Sequence, residues 1–188
     1  MTRRAKKFKR PVIGTANPDW RNAQSPLDLV PDTLDATGAG QRMVDLACLP
    51  TVTQGDLAGS SFGDVAQDYQ LAAVKKIWGD RDEHGRREIQ RVFLKVSKGC
   101  GKTTFAAFVC LAHCMDMALT GRGKRGLIQV LSATIPAADL CFQHILSAIQ
   151  QSEELSGQFK SSVAKRQLEH VASGIRVEVS PSRLDATV

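Results

Sequence analysis

Apolar and polar positions change period several times along this chain, and each period predicts a different element. Residues 38–60 open with GAGQRMVDLACL, which predicts a short helix, and continue into the polar, glycine-containing loop TQGDLAGSSFGD. DVAQDYQLAAVKKIWG then places apolar side chains at Val65, Tyr69, Ala72, Ala73 and Ile77. That is one face of an amphipathic helix, which Gly79 stops. A charged turn, DRDEHGRRE, leads to RVFLKV at 91–96, whose β-branched and aromatic residues predict a strand. TTFAAFVCLAHCMDMAL, from Thr103, reads as a helix that is apolar nearly all round and therefore buried. After the basic turn GRGKRG, LIQVLS at 127–132 predicts a second buried strand. PAADLCFQHILSAIQQSEEL predicts a second long helix, with Pro136 in the first turn, where its missing N–H is not needed. QLEHVASGIRVEVS predicts two short strands about a Ser-Gly turn, the second pointing Ile175, Val177 and Val179 inward.

Strand, loop, helix, strand, helix is a β-α-β order. It predicts an α/β fold, a parallel sheet with helices packed on it. No internal repeat or low-complexity tract interrupts the pattern.

Composition narrows the class. A chain of 188 residues suffices for one domain with a proper core. Aromatic residues make up only 5 %, too few for an extended stacking surface for single-stranded nucleic acid. The net charge of +6 permits a polyanionic partner without demanding one. Part of the excess is local, because TRRAKKFKR near the N-terminus holds six basic residues and no acid. Residues 1–37 therefore read as a basic, extended or disordered arm, and its charge suits a solvated tail as well as a DNA contact. Five cysteines, at 48, 100, 110, 114 and 141, match no zinc-module spacing and read as reduced thiols of a cytoplasmic protein. No apolar run approaches the length of a membrane span, and the basic N-terminus has no apolar segment behind it, so neither a membrane partner nor a secretory signal is expected.

The candidate chemistry lies in KVSKGCGKTT, residues 95–104. A phosphate-binding loop takes the form Gly, four residues, Gly-Lys-Ser/Thr. Gly101, Lys102 and Thr103 fit it, whereas position 96 is valine instead of the first glycine. The chemistry needs inward-pointing backbone N–H groups, a lysine that reaches the β- and γ-phosphates, and a hydroxyl that holds Mg2+. The loop sits between a predicted strand and a predicted buried helix, which puts a triphosphate at a helix N-terminus. Cys100 reads as a small residue that presents backbone. Lys98 is either a second cation that stabilises charge during γ-phosphoryl transfer or a solvated lysine that steadies bound nucleotide. Upstream, Tyr69 has a ring that can stack on adenine and Gln70 an amide that can pair with its edge. Composition alone instead favours Tyr69 as a buried helix face and Gln70 as its solvated neighbour.

The run DYQLAAVKKIWGDRDEHGRREIQRVFLKVSKGCGKTTFAAFVCLA resembles the start of the ATPase domain in large terminase subunits of tailed bacteriophages. The shared features are a glutamine-containing adenine motif, a short helix ending in Trp-Gly, an acidic stretch with GRR, a hydrophobic strand, and a deviant loop without its first glycine. GAGQRMVDL and VLSATIPAADLCFQHI resemble flanking family segments, so the likeness spans about residues 38–185. That family's members are ATP-driven motors that push double-stranded DNA into procapsids and cut it with a separate C-terminal nuclease domain. The resemblance implies a P-loop NTPase-type sheet. Lys102 and Thr103 would serve phosphate and Mg2+, and Lys98 would join Lys102 as a catalytic cation at the γ-phosphate. Ser97, Gly99, Cys100, Gly101 and Thr104 would complete the cradle, and Gln70 with Tyr69 would read adenine. Ser132, Ala133 and Thr134 would lie near DNA or nucleotide. The implied cofactors are ATP and Mg2+. The implied partners are double-stranded DNA, a small terminase subunit, the portal and procapsid, and further copies of the chain, in the host cytoplasm.

No apolar stretch closing on Asp-Glu follows residue 127, and no nuclease acid cluster is present. Residues 38–188 accordingly read as the N-terminal portion of a P-loop ATPase domain, expected to bind ATP and, alone, to hydrolyse it poorly. Two alternatives stand beside this: a fragment of a superfamily-2-like helicase or DNA-stimulated ATPase, and a non-catalytic module whose basic arm binds DNA or an assembly partner.

Overall fold

The computed structural model describes residues 35–95, 99–121 and 125–182. Most of the expected basic arm, together with Val96, Ser97 and Lys98, lies outside the described residues. The described chain forms α1 (Ala39–Cys48), α2 (Phe62–Val65), α3 (Asp68–Gly79), α4 (Lys102–Leu119), β1 (Leu127–Ser132), α5 (Ile135–Gln151), α6 (Glu153–Ser156), β2 (Phe159–Ser162), β3 (Gln167–His170) and β4 (Ile175–Pro181). The fold is α/β, with a four-stranded mixed sheet in the order β1-β4-β3-β2 and flanking helices. None of the helices among the described residues is long and apolar enough to cross a membrane.

The expected parallel sheet is realised at one joint. β1 and β4 run parallel, from Leu127 opposite Arg176 to Ser132 opposite Pro181. The joints β2–β3 and β3–β4 are antiparallel, because connections as short as 163–166 and 171–174 can only turn the chain back. Gly174 takes φ 69° in the second turn, the left-handed backbone that glycine adopts without strain. β2 was not predicted: its sequence, FKSS, has one apolar residue, Phe159, and so no readable alternation. Ile175, Val177 and Val179 are buried, as their spacing predicts.

Among the described residues two clusters make the core, and α4 belongs to both. On one side Phe108, Leu111 and Cys114 pack with Phe142 and Ile145 of α5 and with Leu168, Ile175, Val177 and Val179 of the sheet. On the other, Ala112 meets Met43 and Ala47 of α1 and Val74 and Trp78 of α3. α4 is thus largely buried, as its composition predicts, with the addition of a buried carboxylate. Asp116 accepts a hydrogen bond from Arg42 Nε at 2.6 Å, which pairs its charge.

Four predictions from the pattern need correction. The single helix expected from DVAQDYQLAAVKKIWG is two, α2 and α3, with Ala66 and Gln67 extended between them at ψ 140° and 142°. The face that α3 buries is Gln70, Val74 and Trp78, whereas Tyr69, Ala72, Ala73 and Ile77 are only partly covered. Gln70 can be buried because backbone groups satisfy its amide, and Trp78 covers far more area than an alanine. The strand expected at 91–96 is absent over residues 91–95, which pair with no strand, and Phe93 is 90 % exposed. Strand propensity records fit to a sheet, and no neighbour is offered to this segment among the described residues. Finally β1 is a half-buried edge rather than a buried strand. Ile128 and Val130 pack on the core, while Leu127 and Leu131 are exposed on the other face.

α1 lies against α3 through a glycine. A Cβ on Gly40 would stand 2.2 Å from the Lys75 carbonyl oxygen and 3.0 Å from Gly79 Cα. Alanine normally favours a helix over glycine by about 1 kcal/mol. At this contact the sign reverses: Gly40→Ala must push the helices apart and is expected to cost about 1–3 kcal/mol. Thermal denaturation followed by circular dichroism reads this as a lowered Tm, and an unchanged or raised Tm would contradict the close approach.

Candidate functional site

α4 begins from a chain made sharp by two glycines. Gly99 and Gly101 have φ of 89° and 65°, in the left-handed region where any side chain is strained. A Cβ at either position would meet nothing within 4 Å among the described residues, so it is conformation that demands the glycines. Gly101 is the N-cap of α4 and brings no side-chain cap, and its carbonyl accepts the first helical bond from Phe105 N–H at 2.9 Å. The leading amides of α4 therefore end in a glycine turn, where the helix dipole favours an anion.

The start of α3 reaches this turn. Gln70 is 5 % exposed. Its Oε1 accepts from Gln67 N–H at 2.9 Å and its Nε2 donates to the Cys100 carbonyl at 3.5 Å. One amide thus closes the first turn of α3 and ties it to a loop thirty residues away. The solvated neighbour that composition favoured is instead a buried strut. Tyr69 is half-buried, and burial first and the nearby Cys100 thiol second raise its phenol above the ordinary tyrosine range.

These groups open on one cleft of about 1180 Å³. Of the residues singled out in the sequence, Tyr69, Gln70, Gly99, Cys100, Gly101 and Thr104 line it. Phe93 and Lys95 wall it on the approach to the glycine turn, and Asp56 with its loop stands among the other lining residues. Lys102 and Thr103 belong to the adjoining first turn of α4 but are not among the described lining residues. Ser97 and Lys98 lie outside the described residues. Ser132, Ala133 and Thr134 do not reach the cleft: Thr134 caps α5, its hydroxyl accepting from Ala137 N–H at 3.3 Å.

The sequence reading also missed a buried polar residue of the lining. His144 of α5 is 6 % exposed, and its Nε2 stands 3.5 Å from Thr104 Oγ1. Its Nδ1 is buried with no hydrogen-bond partner among the described residues. Burial holds this imidazole below the ordinary histidine range, so the ring is neutral at pH 7. The signal was available: His144 interrupts the apolar stripe of Cys141, Phe142, Ile145, Ala148 and Ile149.

Among the described residues no group of three or more His, Cys, Asp or Glu is arranged to hold a metal ion. Burial pushes the Cys110 and Cys114 thiols up to about 12, with the Cys141 thiol adding to the shift at Cys110. Cys141 is raised by burial, and Cys48 by burial first and then by Asp45 and Asp64. Cys100 alone of the five is exposed.

Comparison with protein-family models, curated proteins and solved structures finds no match to this chain.

Thiol accessibility tests the architecture. At pH 8, a thiol of pKa about 12 is thiolate only to about one part in ten thousand. Iodoacetamide should label Cys100 well before Cys110, Cys114 and Cys141, read by mass spectrometry of digests taken over time. Comparable early labelling of Cys110 and Cys114 would show that α4 is not packed as described.

Proposed function

We propose that this chain is the ATP-binding portion of a large terminase subunit, the motor that packages double-stranded DNA into procapsids, and that residues 38–188 form part of a P-loop NTPase-type domain. The observation that carries the reading is the shared cleft. Two motifs thirty residues apart, singled out for different parts of one nucleotide, open on the same cavity and are joined by a hydrogen bond.

The residues fit a triphosphate. Gly99 and Gly101 bend the chain so that amides gather at the head of α4, and among the described residues the space beside them is clear. Lys102 and Thr103, in the first turn, supply the ammonium group and hydroxyl that phosphate and magnesium need. With no metal-holding cluster among the described residues, Mg2+ would arrive with the phosphates, as it commonly does. Lys98 is the second cation of the scheme. The half-exposed ring of Tyr69 suits stacking on the base. Gln70 can read adenine only by exchanging its long 3.5 Å bond to the Cys100 carbonyl, so base recognition and loop position are linked through one amide. When bound, ATP supplies the γ-phosphoryl group whose hydrolysis drives such a motor. Double-stranded DNA, a small subunit, the portal and further copies of the chain are the partners that follow from the reading, and a net charge of +6 suits DNA.

Titration with a fluorescent ATP analogue in the presence of magnesium tests this. Lys102→Ala is expected to weaken binding by about tenfold or more, about 1.4 kcal/mol. The magnesium nucleotide is also expected to slow alkylation of Cys100. Equal affinity of the two proteins, with Cys100 equally reactive throughout, would remove the nucleotide reading.

A further inference from the structure

We infer that His144 is a positioning residue for the phosphate site: from α5 it donates a hydrogen bond to Thr104 Oγ1 and so turns the Thr104 hydroxyl proton into the cleft, toward a phosphate oxygen. The inference deepens the nucleotide reading and rests on it.

The argument is one of proton placement. Neutral imidazole carries one N–H, on either Nδ1 or Nε2. Nδ1 is buried with no partner among the described residues, whereas Nε2 faces Thr104 Oγ1 at 3.5 Å. A proton on Nδ1 would leave a buried N–H orphaned, an arrangement that folded proteins rarely contain. A proton on Nε2 leaves only a bare lone pair at Nδ1 and gives the N–H an acceptor. The Nε2–H tautomer is therefore favoured.

That choice fixes the state of the threonine. A hydroxyl has one donor and two acceptor positions. With His144 donating, Thr104 Oγ1 accepts, and its own proton remains for another partner. Thr104 stands in the first turn of α4 and lines the cleft beside Gly101, among the amides assigned to phosphate. The opposite tautomer would take the hydroxyl proton for the ring and present lone pairs to an incoming anion. Burial supports the same state, since it keeps the imidazole neutral.

Two measurements decide the matter. Long-range proton–nitrogen correlation NMR on the 15N-labelled, ligand-free protein is expected to show His144 protonated on Nε2 and bare on Nδ1. Titration with the fluorescent ATP analogue and with inorganic pyrophosphate then compares variants. Thr104→Val and His144→Leu should each weaken both ligands about tenfold. Their combination should weaken them no further, because both remove the same donor. His144→Gln, whose amide can still donate to Thr104, should stay within about threefold of the unaltered protein.

An Nδ1–H tautomer overturns the inference, as does unaltered binding in His144→Leu. Equal loss in His144→Gln and His144→Leu overturns it too, by reducing His144 to a packing residue. In each of these cases tight binding by the unaltered protein, with its dependence on Lys102, leaves the nucleotide reading standing. If the unaltered protein binds neither ligand, both fall together.

Discussion

The burial of α4 on two sides is the constraint on which the rest of the structure depends. One face of this helix carries Phe108 and Leu111 into the cluster shared with α5 and the sheet, and another carries Ala112 into the cluster of α1 and α3. A helix held on both sides cannot slide or tilt without opening one of them, and closely packed interiors resist such openings. The orientation of its first turn is thereby set, and with it the place where Gly99, Gly101 and Thr104 meet the cleft. The buried Asp116 belongs to the same constraint. Without Arg42 it would be a lone charge near the far end of the helix, so the pair fixes the register of α1 against α4.

Much of this was legible in the sequence, and for a physical reason. α1, α5 and β4 have apolar positions whose period matches the element formed, and α4, apolar nearly all round, is packed on two sides, so local pattern and final packing agree. Where the pattern failed, the deciding partner lay elsewhere in the chain. RVFLKV has the composition of a strand, but residues 91–95 have no neighbouring strand to pair with among the described residues. FKSS has almost no pattern, yet it pairs because a four-residue turn returns it to β3. The face of α3 was misplaced because the pattern treats glutamine as a surface residue. Gln70 is buried against backbone partners that no periodicity displays.

The candidate site divides along the same line. The glycines could be read because their requirement is local: a left-handed φ at Gly99 and Gly101 is a property of two residues. The gathering of Tyr69 and Gln70 beside them could be expected only from the resemblance to terminases, since spacing alone does not say that α3 returns to the loop. His144 could not be expected even from that. Its significance lies in a contact between α5 and α4, and only its polar character within an apolar stripe marked it.

Gln70 and His144 together give the glycine turn a second layer of restraint, made of buried polar groups instead of apolar ones. Gln70 holds the Cys100 carbonyl from the side of α3, and His144 meets the Thr104 hydroxyl from the side of α5. Such groups weaken a fold where they are imperfectly paired. A buried nitrogen left unsatisfied costs on the order of 1–3 kcal/mol, a sizeable part of a domain's net stability of about 5–15 kcal/mol, and His144 Nδ1 has no partner among the described residues. A leucine at 144 would continue the stripe of α5 without that cost. Both glutamine and histidine instead place a directional bond on the same short turn, Cys100 to Thr104, from opposite neighbours. Apolar packing can hold α4 in place, but it cannot orient a carbonyl or choose the direction of a hydroxyl proton. Those are the properties an anion at the head of the helix would detect, and they set the loop's chemistry apart from its mere shape.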